Sequence, residues 1–289
     1  MSDSTDRPHH PPSERLTPAP PQTAERNRID STFADASLTR GGGSKFDYSP
    51  VAMMPDVKVI KLGGQSIMDR GRAAVFPILD ELVALKDKHK LLLCTGGGTR
   101  ARHIYAMASD LELPTGLLAA LGGYVPRQNA RMIQMLLAKH GGLYIMNDDF
   151  EKLPLYFKLG CISIMTGMPP FGYWEKPTEN GRIPQHRTDT GVFLSAEVLG
   201  CKRAIFIKDE DGLYEDDPKK NPGAKLITRI GAKELLARDL PDLAVERVVI
   251  EYLARARSCH ELQIVNGMKR GLVTRALEGE DVGTIIYKD

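Results

Sequence analysis

The chain has 289 residues, with 39 Lys plus Arg against 37 Asp plus Glu, a formal net charge of +2 and 42% hydrophobic residues. That is enough apolar material for one large α/β domain or two small ones. No stretch approaches the roughly 18 apolar residues of a bilayer span, and nearly balanced charge without a long basic block leaves no nucleic-acid footprint, so neither a membrane nor a nucleic acid is expected as a partner.

Residues 1–46 are rich in Pro, Ser, Thr and Gly and poor in large apolar side chains. Such a segment buries too little surface to offset its ordering entropy. It reads as a disordered tail or as an arm clamping a neighbouring subunit, with the folded domain over 47–289. Beyond Met53, apolar runs alternate with amphipathic ones. The runs at 57–62, 90–95, 143–146, 161–166, 203–208, 261–266 and 283–288 predict strands. Most are continuously apolar, as in strands covered on both faces. Helices are predicted over 71–87, 99–110, 127–140, 189–199 and 246–258. The alternation implies an α/β fold, a three-layer αβα sandwich with a mostly parallel central sheet. Cys94, Cys161, Cys201 and Cys259 lie far apart and form no C-x-x-C pair; with no secretory signal they read as reduced thiols of a cytoplasmic protein.

In such sheets ligands sit beyond the carboxyl ends of the strands, and three turns of the right kind fall there. The first, "VIKLGGQSIMDRG", runs a strand into Lys61 and then Gly63 and Gly64. Backbone N–H groups without side chains, beside an ammonium, suit an anion. The second, "CTGGGTRARH", places Gly96, Gly97 and Gly98 ahead of a helix whose N-terminal dipole also favours phosphate. Neither matches a P-loop or a dinucleotide fingerprint. The third begins at "RTDTGVFLSAEVLGC", where Thr188 or Asp189 can cap the following helix, and continues in "IKDEDGLYEDDP". Lys208, Asp211, Tyr214, Asp217 and Pro218 there offer a cation, a turn and an aromatic, a set suited to a nucleotide.

The order K-x-G-G, G-G-G, T-D-T, K-x-x-D-G-x-Y, D-P resembles the amino-acid kinase superfamily, in particular its uridylate-kinase-like branch. "IKLGGQSIMDRGRAAVFP", "TRARHIYAMASDLELPTG", "MPPFGYW", "IPQHRTDTG", "ELQIVNG" and "VTRALEGEDVGTII" look more specifically like the molybdenum-storage family, over about residues 57–287. The resemblance implies an amino-acid kinase-like fold in a hexameric cage of homologous subunits, a hetero-hexamer with a second subunit type or a homo-hexamer, storing molybdate or tungstate as polynuclear oxide clusters with ATP-dependent loading. It implies that Lys61, Gly63, Gly64 and the Gly96–Gly98 turn cradle phosphates, that Asp189 orients the lysines and Lys208 meets the transferred phosphoryl, and that Asp211, Tyr214, Asp217 and Pro218 border the base. Mg²⁺ is expected between phosphate oxygens, with no protein ligand assigned.

Two departures from the kinase pattern bear on function. Arg127 stands where a uridylate kinase carries an acid for the ribose of its acceptor, and a cation cannot accept those hydrogen bonds. An oxoanion suits it better, with Gln128, Asn129, His103, His140 and His186 as further candidates for oxoanion or cluster contacts. Lys208 is the kinase-like lysine that the partner subunit type replaces with an acid. This leaves open whether this chain or its partner hydrolyses ATP. The alternatives are a small-molecule kinase transferring the ATP γ-phosphoryl and a catalytically silent nucleotide-binding partner subunit. The loop at 168–184, with the single tryptophan, is expected to form a subunit contact or lid.

Overall fold

Runs in which nearly every side chain is apolar can be strands only where both faces are covered, and the chain builds such a sheet. The computed structural model describes residues 50–178, 183–216, 220–221, 223–240 and 243–289; the expected tail over 1–46, Asp217 and Pro218 lie outside the described residues. The strands are Val57–Leu62 (β1), Lys90–Thr95 (β2), Gly142–Tyr144 (β3), Ile162–Thr166 (β4), Arg203–Lys208 (β5), Leu213–Tyr214 (β6), Leu226–Ile227 (β7), Arg229–Gly231 (β8), Glu261–Asn266 (β9) and Thr284–Tyr287 (β10). Eight of them form one sheet in the order β3-β4-β2-β1-β5-β9-β10-β8, and β6 pairs with β7 apart from it. Every neighbouring pair in the large sheet is parallel except β9 with β10.

Helices cover both faces: Arg72–Leu85 (α1), Gly98–Asp110 (α2), Thr115–Leu136 (α3), Leu153–Lys158 (α4), Thr188–Leu199 (α5), Ala232–Arg238 (α6), Arg247–Arg255 (α7) and Leu272–Leu277 (α8). On one face Ile60, Leu62 and Leu93 pack with Ile78 and Leu82 of α1, Ile133 of α3 and Leu277 of α8. On the other, Val59, Leu92 and Phe206 pack with Val192 and Phe193 of α5 and Leu253 of α7. Each such side chain contributes about 1.5–3 kcal/mol by leaving water. The expected three-layer αβα sandwich is therefore the fold.

The largest departure from expectation is α3. A helix predicted to begin near Arg127, with Pro126 just ahead of it, instead starts at Thr115 and carries Pro126 inside. A proline inside a helix forfeits one backbone bond, here the one to the Gly122 carbonyl; separately, Thr95 Oγ1 donates to the Pro126 carbonyl at 2.6 Å and ties the helix to the end of β2. Buried Leu118, Ala119, Val125, Ala130 and Ile133 hold the helix together on both sides of the proline. His140 closes a separate short turn, Ala138–His140, before Gly141 at φ +83°. Strands β6–β8 and helices α4, α6 and α8 are too short to announce themselves by periodicity.

Candidate functional site

The sheet has its switch point at β1, which takes β2 on one side and β5 on the other, and the crevice beyond such a point is where open α/β sheets bind ligands. Side chains alternate along a strand. Val57 and Val59 face the α5 side, so Lys61 does too; Ala204 and Phe206 do the same on β5, which brings Lys208 to that side. Helix α5 packs on this face through Val192 and Phe193 and presents Asp189 from its first turn.

These groups meet. Asp189 Oδ1 accepts from the Lys61 ammonium, and Lys208 Nζ lies 3.7 Å from the same oxygen. Lys61 and Asp189 are buried, 4% and 5% exposed. Burial works to raise the Asp189 pKa, but the charges of Lys208 and Lys61 overcome it and hold the carboxyl below its ordinary value. Burial pushes the Lys208 pKa below the usual lysine value, with Asp189 and Glu246 opposing the shift and Lys61 adding to it. The triad opens into a cavity of about 560 Å³ lined also by Gly64, Gly96, Gly97 and Gly98, well inside the range of about 300–1,000 Å³ typical of small-molecule sites.

The two glycine turns are packed backbone on backbone. A methyl group at Gly64 would fall on the backbone nitrogen of Gly98, and Gly98 itself sits at φ +72°. Gly63 stands just outside the lining: its N–H donates to the Ile207 carbonyl at 3.1 Å, and the Gly96 N–H donates to the Leu62 carbonyl at 2.9 Å. Close approach of the loops to each other is thus the first reason for glycine at 64. Gly64→Ala is expected to lower stability by about 1–3 kcal/mol, as overpacking does; a denaturation midpoint indistinguishable from wild type would refute the contact.

The expectation that the α2 N-terminus is open to phosphate needs correcting. Asp69 occupies it, accepting from the Thr99 N–H at 2.6 Å, so that end of the helix already has its anion. At the mouth, Arg70 pairs with Asp209 across the loops after β1 and β5.

The other expected site residues divide. Asp211 accepts from Asn266 at 2.9 Å and pairs with Lys269 at 2.7 Å; it and Tyr214, held in β6, are outside the cavity lining. Asn129 is fully buried and donates to the Gly96 carbonyl at 2.6 Å, while Arg100 donates to its Oδ1. It buttresses the glycine turn and has no surface to offer an external oxoanion. Arg127 and Gln128 are exposed on mid-helix α3, Arg127 over the Tyr124 ring. Its expected position at a helix N-terminus is corrected accordingly. His103 is exposed on α2 and His140 partly buried. His186 is buried, Nδ1 2.7 Å from Glu175 and Nε2 2.6 Å from the Tyr252 hydroxyl; both nitrogens are engaged within the protein. Cys94, Cys201 and Cys259 are buried and free of disulfides, Cys161 partly buried.

Glu246 is the residue that motif reading missed. It accepts from the backbone N–H groups of Arg187, Asp189 and Thr190, each at 3.1 Å, and from Thr190 Oγ1 at 2.7 Å. Its own N–H donates to Asp189 Oδ2 at 3.1 Å. It is an N-cap supplied to α5 from far along the chain, and the only trace in the sequence is an acid ahead of the amphipathic run "RVVIEYLAR". Tyr105, whose phenol burial pushes up to about 12, also lines the cavity, as do Arg102 and Arg187.

Lysines at two strand ends, backbone at a glycine turn and a cavity of this volume fit a nucleoside polyphosphate. Among the described residues no three His, Cys, Asp or Glu side chains group to hold a metal ion, so an Mg²⁺ here would be held chiefly by phosphate oxygens and water.

A model of the amino acid kinase family matches residues 56–266. Molybdenum storage protein subunit beta of Azotobacter vinelandii is 50% identical over 266 residues, which cover 91% of this chain and 97% of that protein. A uridylate kinase of Methanothermobacter thermautotrophicus is 29% identical over 238 residues, 80% of this chain and 99% of the enzyme. Among solved structures, uridylate kinase from Archaeoglobus fulgidus superposes with a TM-score of 0.60 at 23% identity, over 80% of this chain and all of that one. At that identity the superposition speaks for the fold.

Proposed function

The chain belongs to the amino acid kinase family and, within it, to the molybdenum storage subunits, and from that premise we propose that it is a cage subunit sequestering molybdate or tungstate as metal-oxide clusters, with a nucleotide bound at the cavity beyond β1. The relative's name carries the storage half, through 50% identity over nearly its whole length. The nucleotide half is carried by one observation: Lys61, Lys208, Asp189 and the Gly96–Gly98 turn converge on one cavity.

In that cavity Lys61 and Lys208 neutralise phosphate charge, and Asp189 holds both ammonium groups in place. Tyr105, a neutral phenol in the lining, is the proposed hydrogen-bond donor to an oxyanion. ATP, when bound, would supply the phosphoryl group and the free energy for loading, and an accompanying Mg²⁺ would neutralise phosphate charge. Whether loading draws on this chain's own site or on its partner's, the wall presented to the cargo is separate from the cavity. Exposed Arg127 and Gln128, with His103 on the side of α2 that carries Arg100, are the proposed oxoanion contacts; Arg100 Nη1 reaches Gln128 at 3.4 Å.

Assembly with a second, homologous subunit type is part of the proposal, suggested by the word "beta" in the relative's name. Assembly with other subunits, proposed as a hexamer, gains support from α3, where Leu121, Tyr124, Met132, Met135 and Leu136 are exposed at helical spacing as an apolar face for a partner to cover. Such a stripe on one helix face is unfavourable in water. Trp174, 85% exposed, is a second apolar contact point. The proposed organisation is a domain over 47–289 with a tail over 1–46, in the cytoplasm.

The test is native mass measurement with metal counting, on protein from molybdate-grown cells, with and without ATP. A multi-subunit assembly carrying many Mo atoms per chain is expected, more with ATP. A metal-free monomer that phosphorylates a metabolite would overturn the storage reading in favour of a small-molecule kinase. That alternative draws on a second cavity of about 570 Å³, lined by Arg102, Tyr105 and Arg187 beside the first, which gives room for an acceptor.

A further inference from the structure

Buried Lys61, partly buried Lys208 and one buried aspartate would leave the floor of the cavity with an excess positive charge. Glu246 removes it. Its side chain is 7% exposed, and its two oxygens accept from four donors. We propose that Glu246 is a positioning residue that sets the anion affinity of this cavity: it fixes Asp189 between Lys61 and Lys208 and brings the buried charge to balance.

The geometry gives it both roles. Asp189 and Glu246 cap each other's helices: the Glu246 N–H donates to Asp189 Oδ2 at 3.1 Å, while the Asp189 N–H donates to Glu246 Oε1 at 3.1 Å. Asp189 Oδ2 is thereby committed to α7, which turns Oδ1 toward the lysines. An aspartate tied at one oxygen cannot swing out with an arriving ligand. The charges around Lys208 are Asp189, Lys61 and Glu246, with Asp209 next in sequence but paired to Arg70, and Arg187 Nε 3.8 Å from Glu246. On the floor itself Lys61 and Lys208 are matched by Asp189 and Glu246, while Arg187, Arg102 and Glu210 line the cavity around them. A bare polyanion therefore gains less there than it would from an unopposed lysine pair. Glu246 also favours the ammonium form of Lys208, against burial. The residue thus lowers anion affinity and extends it to higher pH, two opposite effects of one carboxylate.

The nucleotide reading of the cavity underlies the binding readout, and the geometry alone underlies the titration readout, so the two are separable. Competitive acetylation of Lys208, read by mass spectrometry over a pH series, is applied to the unliganded full-length protein as wild type, Glu246→Gln and Thr190→Val. Tripolyphosphate affinity is measured over the same series. In E246Q the Lys208 midpoint is expected to fall by about half a pH unit or more. Tripolyphosphate should bind about threefold or more tighter below that midpoint, with its alkaline limb moved down in step. T190V removes one cap donor, keeps the charge, and should leave the Lys208 midpoint in place. An unchanged midpoint in E246Q, or parallel losses of affinity in both variants at every pH, would overturn the proposal. If E246Q does not fold, Glu246→Asp withdraws the carboxylate by one methylene and must show the same shift on a smaller scale; no shift counts against it. A wild type that binds no tripolyphosphate while its E246Q midpoint moves as expected refutes the nucleotide reading and supports the charge assignment.

Discussion

Replacing Asp189 with alanine is expected to destabilise the fold by about 3–5 kcal/mol, the magnitude seen when one member of a buried ion pair is removed. The loss has two sources. Lys61 and Lys208 would face each other across the cavity floor with no carboxylate between them, and the N–H of Glu246 would lose its acceptor. Urea unfolding near neutral pH measures it, and a midpoint equal to wild type would dispose of the triad as a stabilising unit. A pH series adds a second check. The folded-state pKa of Asp189 lies below the ordinary aspartate value, so the contribution is fully present above that value and is lost as pH falls toward the folded pKa. Asp189→Asn should flatten this acid limb; a limb of unchanged depth would place the acid sensitivity elsewhere.

Lys61→Ala should weaken ATP binding by about 10- to 100-fold, the equivalent of one charge-assisted hydrogen bond of about 1.5–3 kcal/mol. Here the fold is better protected. Asp189 keeps Lys208 as a partner at 3.7 Å and keeps the Glu246 N–H, and the strand around position 61 is held by Val59, Ile60 and Leu62, each almost fully buried. Calorimetric titration of the full-length assembly with ATP reads the effect, alongside Mo atoms retained per chain. Unchanged ATP affinity would mean that the phosphates lie elsewhere than at the end of β1.

The framework of the sheet could be read from the sequence because its strands are nearly unbroken apolar runs that end in a lysine or a glycine turn. "VKVIKL" and "RAIFIK" coincide with β1 and β5, and alternation along them puts both lysines on one face. The site was legible to the extent that its residues sit at strand ends. Glu246 was not, because it reaches Asp189 from 57 residues away, and nothing local distinguishes it from any other acid before a helix. Arg127 was misplaced because a proline usually opens a helix, and the burial that holds α3 together on both sides of Pro126 is packing against distant segments. His186 looked available in "IPQHRTDTG", but its ring is enclosed by Glu175, Tyr252 and Phe171. The α2 N-terminus looked open because Asp69, which fills it, lies 30 residues earlier.

The contact of Gly64 with the Gly96–Gly98 turn, where a carbon on Gly64 meets Gly98 and one on Gly96 meets Gly64, has a consequence for substitution. Since neither turn leaves room for a single carbon on the other, the pair constitutes a joint veto on innovation at the cavity floor. Substitutions that alter what the protein holds are therefore sterically admissible at the rim, on helix surfaces and at remote acids, and excluded from this piece of masonry.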